Sequence, residues 1–271
     1  MAQGNTPALK SLEAASKKKI NIDSWWWLVF ATAALIILMV VIWPDPYLRS
    51  LKFFSDGIWV TIYVTLISFV MVLFVGLVGG LGRLAKNPIL HGIATVYVEV
   101  IRGIPMLVQL LFWYFAFPSV MQRIGTAAQI TALQRWTPDP IGMAIFGLTL
   151  GYGAYMSEVI RAGIQSIPRG QMEAARSLGM TYFQAMRHVI LPQAIRVILP
   201  PVGNEFITLL KDTSLVSVVA VSDLTRRGRE FMTLSGLPLE TWAMVALVYL
   251  LLTLLATRAV AWIEKISKFE R

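Results

Sequence analysis

The sequence predicts an all-α integral membrane protein with six transmembrane helices, and three observations predict it. Apolar residues make up 56% of the 271-residue chain, while only 14% are charged. Several uncharged runs come close to or exceed the roughly 20 residues a helix needs to cross the hydrocarbon core. The Lys and Arg residues collect in the polar segments between alternate runs, as they do in multi-span proteins.

The first span is expected within 24–44, behind a polar tail at 1–23 that lacks core-forming residues. Its ten Leu, Ile, Val and Phe residues between 25 and 43 favour insertion by about −3 to −6 kcal/mol. Trp25, Trp26, Trp27 and Trp43 stand at its two ends, where interfacial aromatics belong. A cleaved signal peptide fits less well, because the run is long, begins late and ends in Trp43-Pro44-Asp45 rather than small residues. Further uncharged runs cover 57–82, 103–122, 140–157 and 241–257, the third of these continuing as helix through Glu158 to Arg161.

A weaker span is expected at 197–210, with Pro200, Pro201 and Glu205 inside it. Its eight large apolar residues favour insertion by about −2 to −5 kcal/mol, which one central carboxylate, costing about 2.5 to 3.5 kcal/mol, nearly cancels. Such a span needs the shelter of neighbouring helices. The prolines predict an interrupted helix here, with free backbone groups and helix ends. The main folded unit therefore runs over 56–271, preceded by one additional span.

Charge distribution sets the expected orientation. Lys10 and Lys17 to Lys19 put the amino terminus in the cytoplasm, and six crossings return the carboxyl end, with Lys265, Lys268 and Arg271, to the same side. Arg83, Lys86, Arg169, Arg176 and Arg187 also fall inside. Arg226, Arg227 and Arg229 fall outside and break the rule. The polar stretch 123–139 is expected as an external loop open to a partner. The net charge of +9 is largely this asymmetry, so nucleic-acid binding is not needed to explain it. The absence of cysteine excludes disulfides and thiolate metal sites.

The most specific signal lies at about 165–192. Pro168 suits a helix start and Gly179 a left-handed helix end. Thr181 and Gln184 then form a capping-box signature for a second short helix. Glu173-Ala174-Ala175, three residues, Gly179, nine residues, Val189, one residue and Leu191-Pro192 resembles the EAA loop of permease subunits of ABC importers. Val189 in place of isoleucine is the one departure. In that family the loop is a cytoplasmic coupling helix, which implies ATPase-coupling roles for Glu173, Ala174, Ala175, Gly179, Leu191 and Pro192.

Other segments narrow the resemblance. Arg102-Gly103-Ile104-Pro105, Ala154-Tyr155 with Glu158 and Arg161-Ala162-Gly163-Ile164, and Lys211-Asp212-Thr213-Ser214-Leu215 are similar to segments of the polar amino-acid uptake (His/Gln/Glu/Arg-type) permeases. The resemblance covers roughly 57–263 and implies a type I importer fold around a five-span core in a bacterial inner membrane. It also implies the partners: two ATP-binding subunits that carry the ATP and Mg²⁺, a second permease as homodimer or heterodimer, and an extracytoplasmic amino-acid-binding protein. The chain itself is expected to hold no cofactor and no metal.

Ionisable residues within the spans are the other candidates. Glu158 and Arg161 lie three apart on a helix and can pair, which reads first as a structural clamp and second as substrate contact. Asn204, Glu205, Lys211 and Asp212 sit where buried charge is costly and commonly faces a cavity. Two readings stay open for them, lining of the substrate path and an internal Glu205–Lys211 pair. Gly76-x-x-x-Gly80 and Gly147-x-x-x-Gly151 permit close helix approach.

Enzymatic readings find no support. The chain has no phosphate-binding loop of the Gly-x-x-x-x-Gly-Lys-Ser/Thr type, no zinc-protease or serine-hydrolase motif, and only His91 and His188. The competing transport reading is an ATP-independent secondary transporter or channel, which predicts inverted repeats with paired broken spans. No repeat is visible.

Overall fold

The computed structural model describes residues 24–267, so the expectations for the tail at 1–23 and for Lys268 and Arg271 lie outside the described residues. The described chain is helical without strands. In order, the helices are α1 (Ser24–Ile42), α2 (Pro44–Leu84), α3 (Pro88–Arg102), α4 (Met106–Leu111), α5 (Phe117–Ala127), α6 (Thr131–Gln134), α7 (Pro140–Gln165), α8 (Arg169–Ser177), α9 (Tyr182–Ala185), α10 (Leu191–Asp212), α11 (Leu224–Ser235) and α12 (Pro238–Ser267). One-turn π segments join α4 to α5 and α9 to α10, and a 3₁₀ segment (Thr213–Val219) follows α10.

The central pair is α2 with α7, packed parallel. Gly76 and Gly80 sit against Met156 and Ile160 so closely that a Cβ on Gly76 would lie 2.6 Å from that of Met156. One on Gly80 would lie 2.9 Å from the Ser157 carbonyl oxygen. The glycine spacing thus serves as a helix–helix seam, where backbones meet because side chains are missing. Val64, Val72, Leu148 and Met156 are fully buried along it. Around this pair, α10 runs antiparallel to α7, with Ile198 at Gly163 and Asp212 at Tyr152. Next to it, α12 runs antiparallel to α10, with Val260 against Gly203. Peripheral α1 leaves Leu28, Ile37, Leu38 and Val41 exposed, a surface suited to lipid.

Among the described residues, four helices are long and apolar enough to cross a membrane, namely α1, α2, α7 and α12. A fifth crossing is available if α3 and the α4–α5 unit, bent by 104° at Gly103–Pro105, count as one. The run at 103–122 is therefore the second half of a broken element rather than a straight span. Ahead of it lies amphipathic α3, which packs Leu90, Ala94 and Tyr97 along the last turns of α2.

Two local expectations need correction. The helix at 197–210 is not interrupted at its prolines: α10 continues from Leu191 to Asp212 through Pro200 and Pro201. Both prolines face the open side, and helices in bilayers accommodate them by local adjustment of the freed carbonyls. The genuine break lies at Gly103-Ile104-Pro105, where proline lacks an N–H and restrains the residue before it. The stretch 123–139 is likewise no open loop, since α5 extends to Ala127, turns back at Gln129 and is followed by α6.

Candidate functional site

Around the break, three elements bring ionisable groups together. Arg102 is the last residue of α3 and its guanidinium lies over the Tyr155 ring of α7, 5.2 Å from the centroid. Glu205 of α10 is half-buried. One turn up α7, the Tyr152 hydroxyl donates to Asp212 Oδ2 at 2.7 Å. Glu205 and Asp212 share a helical face because seven residues make close to two turns, and that face meets the tyrosines. One cation and one carboxylate thus flank two phenols of α7, with Glu205 about two turns from Asp212 on the same face of α10.

The other two members of the expected path lie elsewhere. Asn204 and Lys211 occupy the neighbouring stripe of α10, exposed on the open side of the chain. Among the described residues, Lys211 forms no ion pair with Glu205, so the internal Glu205–Lys211 pairing is not the arrangement found. From the sequence Arg102 reads first as an interfacial anchor that starts a helix, and Tyr155 stands within a quoted segment without being singled out. Both lie far in sequence from Glu205, and only the bend brings Arg102 beneath α7.

A second cluster lies where α2, α3 and α7 meet. Arg161 donates to Glu158 through Nε at 2.9 Å and through Nη2, a bidentate fork. Arg83 of α2 adds a bond to Glu158 at 2.6 Å and another to Glu99 of α3 at 3.2 Å. The expected Glu158–Arg161 pair is therefore part of a four-residue network. Arg83 had counted only toward loop charge.

Seven residues beyond Glu158, the chain leaves α7 and forms α8. Pro168 precedes its first turn. At its other end the Met180 N–H reaches back to the Ala175 carbonyl at 3.2 Å, and Gly179 has φ +84°. That closure needs a residue at positive φ, which glycine enters without a Cβ penalty. Thr181 and Gln184 then form the reciprocal capping box that starts α9. Ala175 is buried, whereas Glu173, Ala174 and Arg176 are exposed. Leu191 is half-buried and Pro192 exposed at the start of α10. Leu178, Tyr182 and Phe183 are also exposed, at 81%, 57% and 71%, an apolar patch that sequence reasoning did not single out.

The three arginines that broke the charge rule lie on α11, packed on the first turns of the long part of α2. Arg227 pairs with Asp56 and, at 2.8 Å, with Glu230, which also accepts from Arg226 at 3.1 Å. Burial pushes the Glu230 carboxyl up, but the hydrogen bonds from Arg227 and Arg226 outweigh it and hold the group below its usual range. Arg226 and Arg227 are thus held in ion pairs, while Arg229 stays exposed.

A glycine-seamed central helix pair, a bent helical element and an exposed Glu-Ala-Ala helix, in an all-helical chain with several apolar helices, fit the architecture of a type I ABC importer permease. Residues 72–266 match the family model described as the binding-protein-dependent transport system inner membrane component, and the chain belongs to that family. A glutamine transport system permease protein of Escherichia coli (strain K12) is 34% identical over 227 residues, which cover 84% of this chain and 96% of the relative. An L-cystine transport system permease protein of Bacillus subtilis (strain 168) is 42% identical over 176 residues, 65% of this chain and 69% of the relative. Among solved structures, an amino acid ABC transporter with histidines superposes with a TM-score of 0.72 at 34% identity, covering 81% of this chain and 96% of that one. A methionine ABC transporter at 22% identity and TM-score 0.65 has the same fold. The chain is the permease subunit of an amino acid ABC importer, a multi-pass membrane protein.

Proposed function

We propose that this permease carries a polar amino acid past the Arg102–Tyr155–Glu205–Asp212 cluster and is driven through α8 by separate ATPase subunits. The observation that carries the path reading is the Arg102 guanidinium over Tyr155, one turn from the Tyr152 hydroxyl that donates to Asp212, with Glu205 on the same face of α10 as Asp212. An α-amino acid presents a carboxylate and an ammonium a few ångströms apart. Arg102 suits the first, Glu205 or Asp212 the second, and an interrupted helix in a transporter marks such a site. Asn204 and Lys211 would line the open side facing the second permease.

For the drive, α8 offers exposed Glu173 and Ala174 beside the apolar Leu178, Tyr182 and Phe183. A short helix with small residues and an adjoining apolar patch suits insertion into a groove on an ATPase. Two ATPase subunits, holding ATP and Mg²⁺, would close together and carry α8 as a lever between inward-open and outward-open packings. ATP can drive the switch only by binding the two states unequally. A second permease copy or relative completes the pathway, and an extracytoplasmic binding protein delivers the amino acid. Both termini and α8 would be cytoplasmic, with α11 and the α5–α6 segment outside, in the bacterial inner membrane.

Uptake measured in cells carrying Arg102→Gln or Glu205→Gln tests the path. Reduced apparent affinity or altered preference among amino acids, with normal amounts of assembled transporter, is expected. Unchanged affinity in both variants would remove the cluster from the path.

A further inference from the structure

Gln109 occupies the first turns of α4, just beyond the 104° break, and is 96% buried by its 4% exposure. Its Nε2 donates to the carbonyl oxygens of Ile101 and Ile104, each at 2.8 Å. Those are two of the backbone acceptors that the break at Gly103-Ile104-Pro105 deprives of helical partners. An unsatisfied carbonyl at membrane depth is costly, and one amide here serves two. The same side chain is seated on α7 beside Met106: a Cβ on Gly151 would come 2.9 Å from Met106 Sδ and 3.3 Å from Gln109 Oε1. The Gln109 side chain is therefore packed against α7 at Gly151 and shielded from solvent.

Ile101 is the residue directly before Arg102. Fixing its carbonyl fixes the peptide from which the Arg102 side chain departs, and so the guanidinium over Tyr155. On the preceding turn, Glu99 is tied to Arg83 of α2. The end of α3 is thus held on both sides of Arg102, from α4 by Gln109 and from α2 by Arg83.

We propose that Gln109 is a positioning residue for substrate recognition: its amide locks the break so that Arg102 is presented, pre-oriented, to the carboxylate of the transported amino acid. The proposal rests on the reading of Arg102 as part of the path. A preorganised cation spares the ordering cost that a mobile arginine would bear on binding. Gln109 itself does not touch the substrate.

A double-mutant cycle on transport tests it in the complete transporter. Uptake of L-glutamine, L-arginine and L-cystine is measured in cells for wild type, Arg102→Gln, Gln109→Leu and the double variant, following KM for the amino acid taken up fastest. Gln109→Glu serves as a second probe that keeps the shape and removes the two amide donors. Arg102→Gln should raise KM about tenfold and Gln109→Leu about fivefold, with the double variant no worse than Arg102→Gln alone, because both act through one interaction. Membrane levels and maximal uptake should stay near normal for at least one of the two Gln109 variants. If Arg102→Gln leaves KM unchanged, the path reading fails and this proposal with it. If Arg102→Gln raises KM but Gln109→Leu and Gln109→Glu do not, or if the effects multiply in the double variant, the positioning role alone is overturned. Loss of both Gln109 variants from the membrane would likewise overturn it, by making Gln109 a staple of folding only.

Discussion

Arg83 of α2 donates to Glu158 of α7 at 2.6 Å, seven residues before α7 ends and the chain turns toward α8. The same arginine holds Glu99 on α3, and Arg161 grips the other side of Glu158. Three helices are therefore joined by charge next to the segment that docks an ATPase in the proposed mechanism. Side-chain exposures of 13% for Arg83 and 26% for Glu158 place the contact in partial shelter from water, where an ion pair is worth more than on an open surface.

Removing the shared acid leaves two guanidiniums facing each other. Glu158→Gln is expected to destabilise the bundle by about 1–3 kcal/mol. Thermal unfolding in detergent should show the lowered midpoint, while Glu99→Gln, at 62% exposure, should have little effect.

The seam between α2 and α7 predicts a second cost. Gly80→Leu has no space, because a Cβ alone would already lie 2.9 Å from the Ser157 carbonyl oxygen. Overpacking of about 1–3 kcal/mol or more is expected, with reduced protein recovered from the membrane. Gly92→Ala on the open face of α3, where a Cβ meets nothing within 4 Å, should be neutral or slightly stabilising.

The docking of α11 on α2 should depend on pH in a defined direction. Glu230 is held below its usual range in the folded state, so its contribution is fully present above the ordinary carboxylate value of about 4.3. That contribution is lost as pH falls through the lowered native value. Proteolytic accessibility of the α10–α12 connection should therefore rise in acid below about pH 4. Glu230→Gln should remove that step in the pH profile and leave accessibility elevated throughout.

Much of this was legible in the sequence because its signals are local. The Glu-Ala-Ala spacing, the helix end at Gly179 and the box at Thr181 and Gln184 each depend on residues a few positions apart. The apolar runs are equally local. What escaped needed long-range geometry. The Pro200-Pro201 pair is the stronger local signal for a break, yet α10 passes through it. The bend falls at Gly103–Pro105, where Gln109 can satisfy the freed carbonyls. Arg83 and Arg102 read as loop and interfacial cations, because nothing near them in sequence says that Glu158 or Tyr155 waits across the bundle. The charge-rule exception at 226–229 was legible as an exception, but the partner of Arg227, Asp56, 171 residues away, was not.

Coupling through α8 is tested at its two most exposed dependencies. Gly179→Val forces a β-branched residue to positive φ, at a cost of about 1–2 kcal/mol or more, and should misdirect the chain entering α9. Glu173→Lys reverses a charge on the exposed face. Both leave every apolar helix intact, so membrane levels should be normal. Co-purification of the ATPase, or ATPase activity stimulated by loaded binding protein, should fall at least tenfold, equivalent to about 1.4 kcal/mol.

The most direct measurement is uptake of a radiolabelled amino acid into proteoliposomes that hold this permease, its ATPase subunits and the cognate binding protein. Uptake is expected with ATP available to the ATPase subunits, to be absent with a non-hydrolysable analogue, and to be lost in Gly179→Val despite intact incorporation. Uptake that proceeds on an ion gradient without the ATPase subunits, or that Gly179→Val leaves unchanged, would contradict the account.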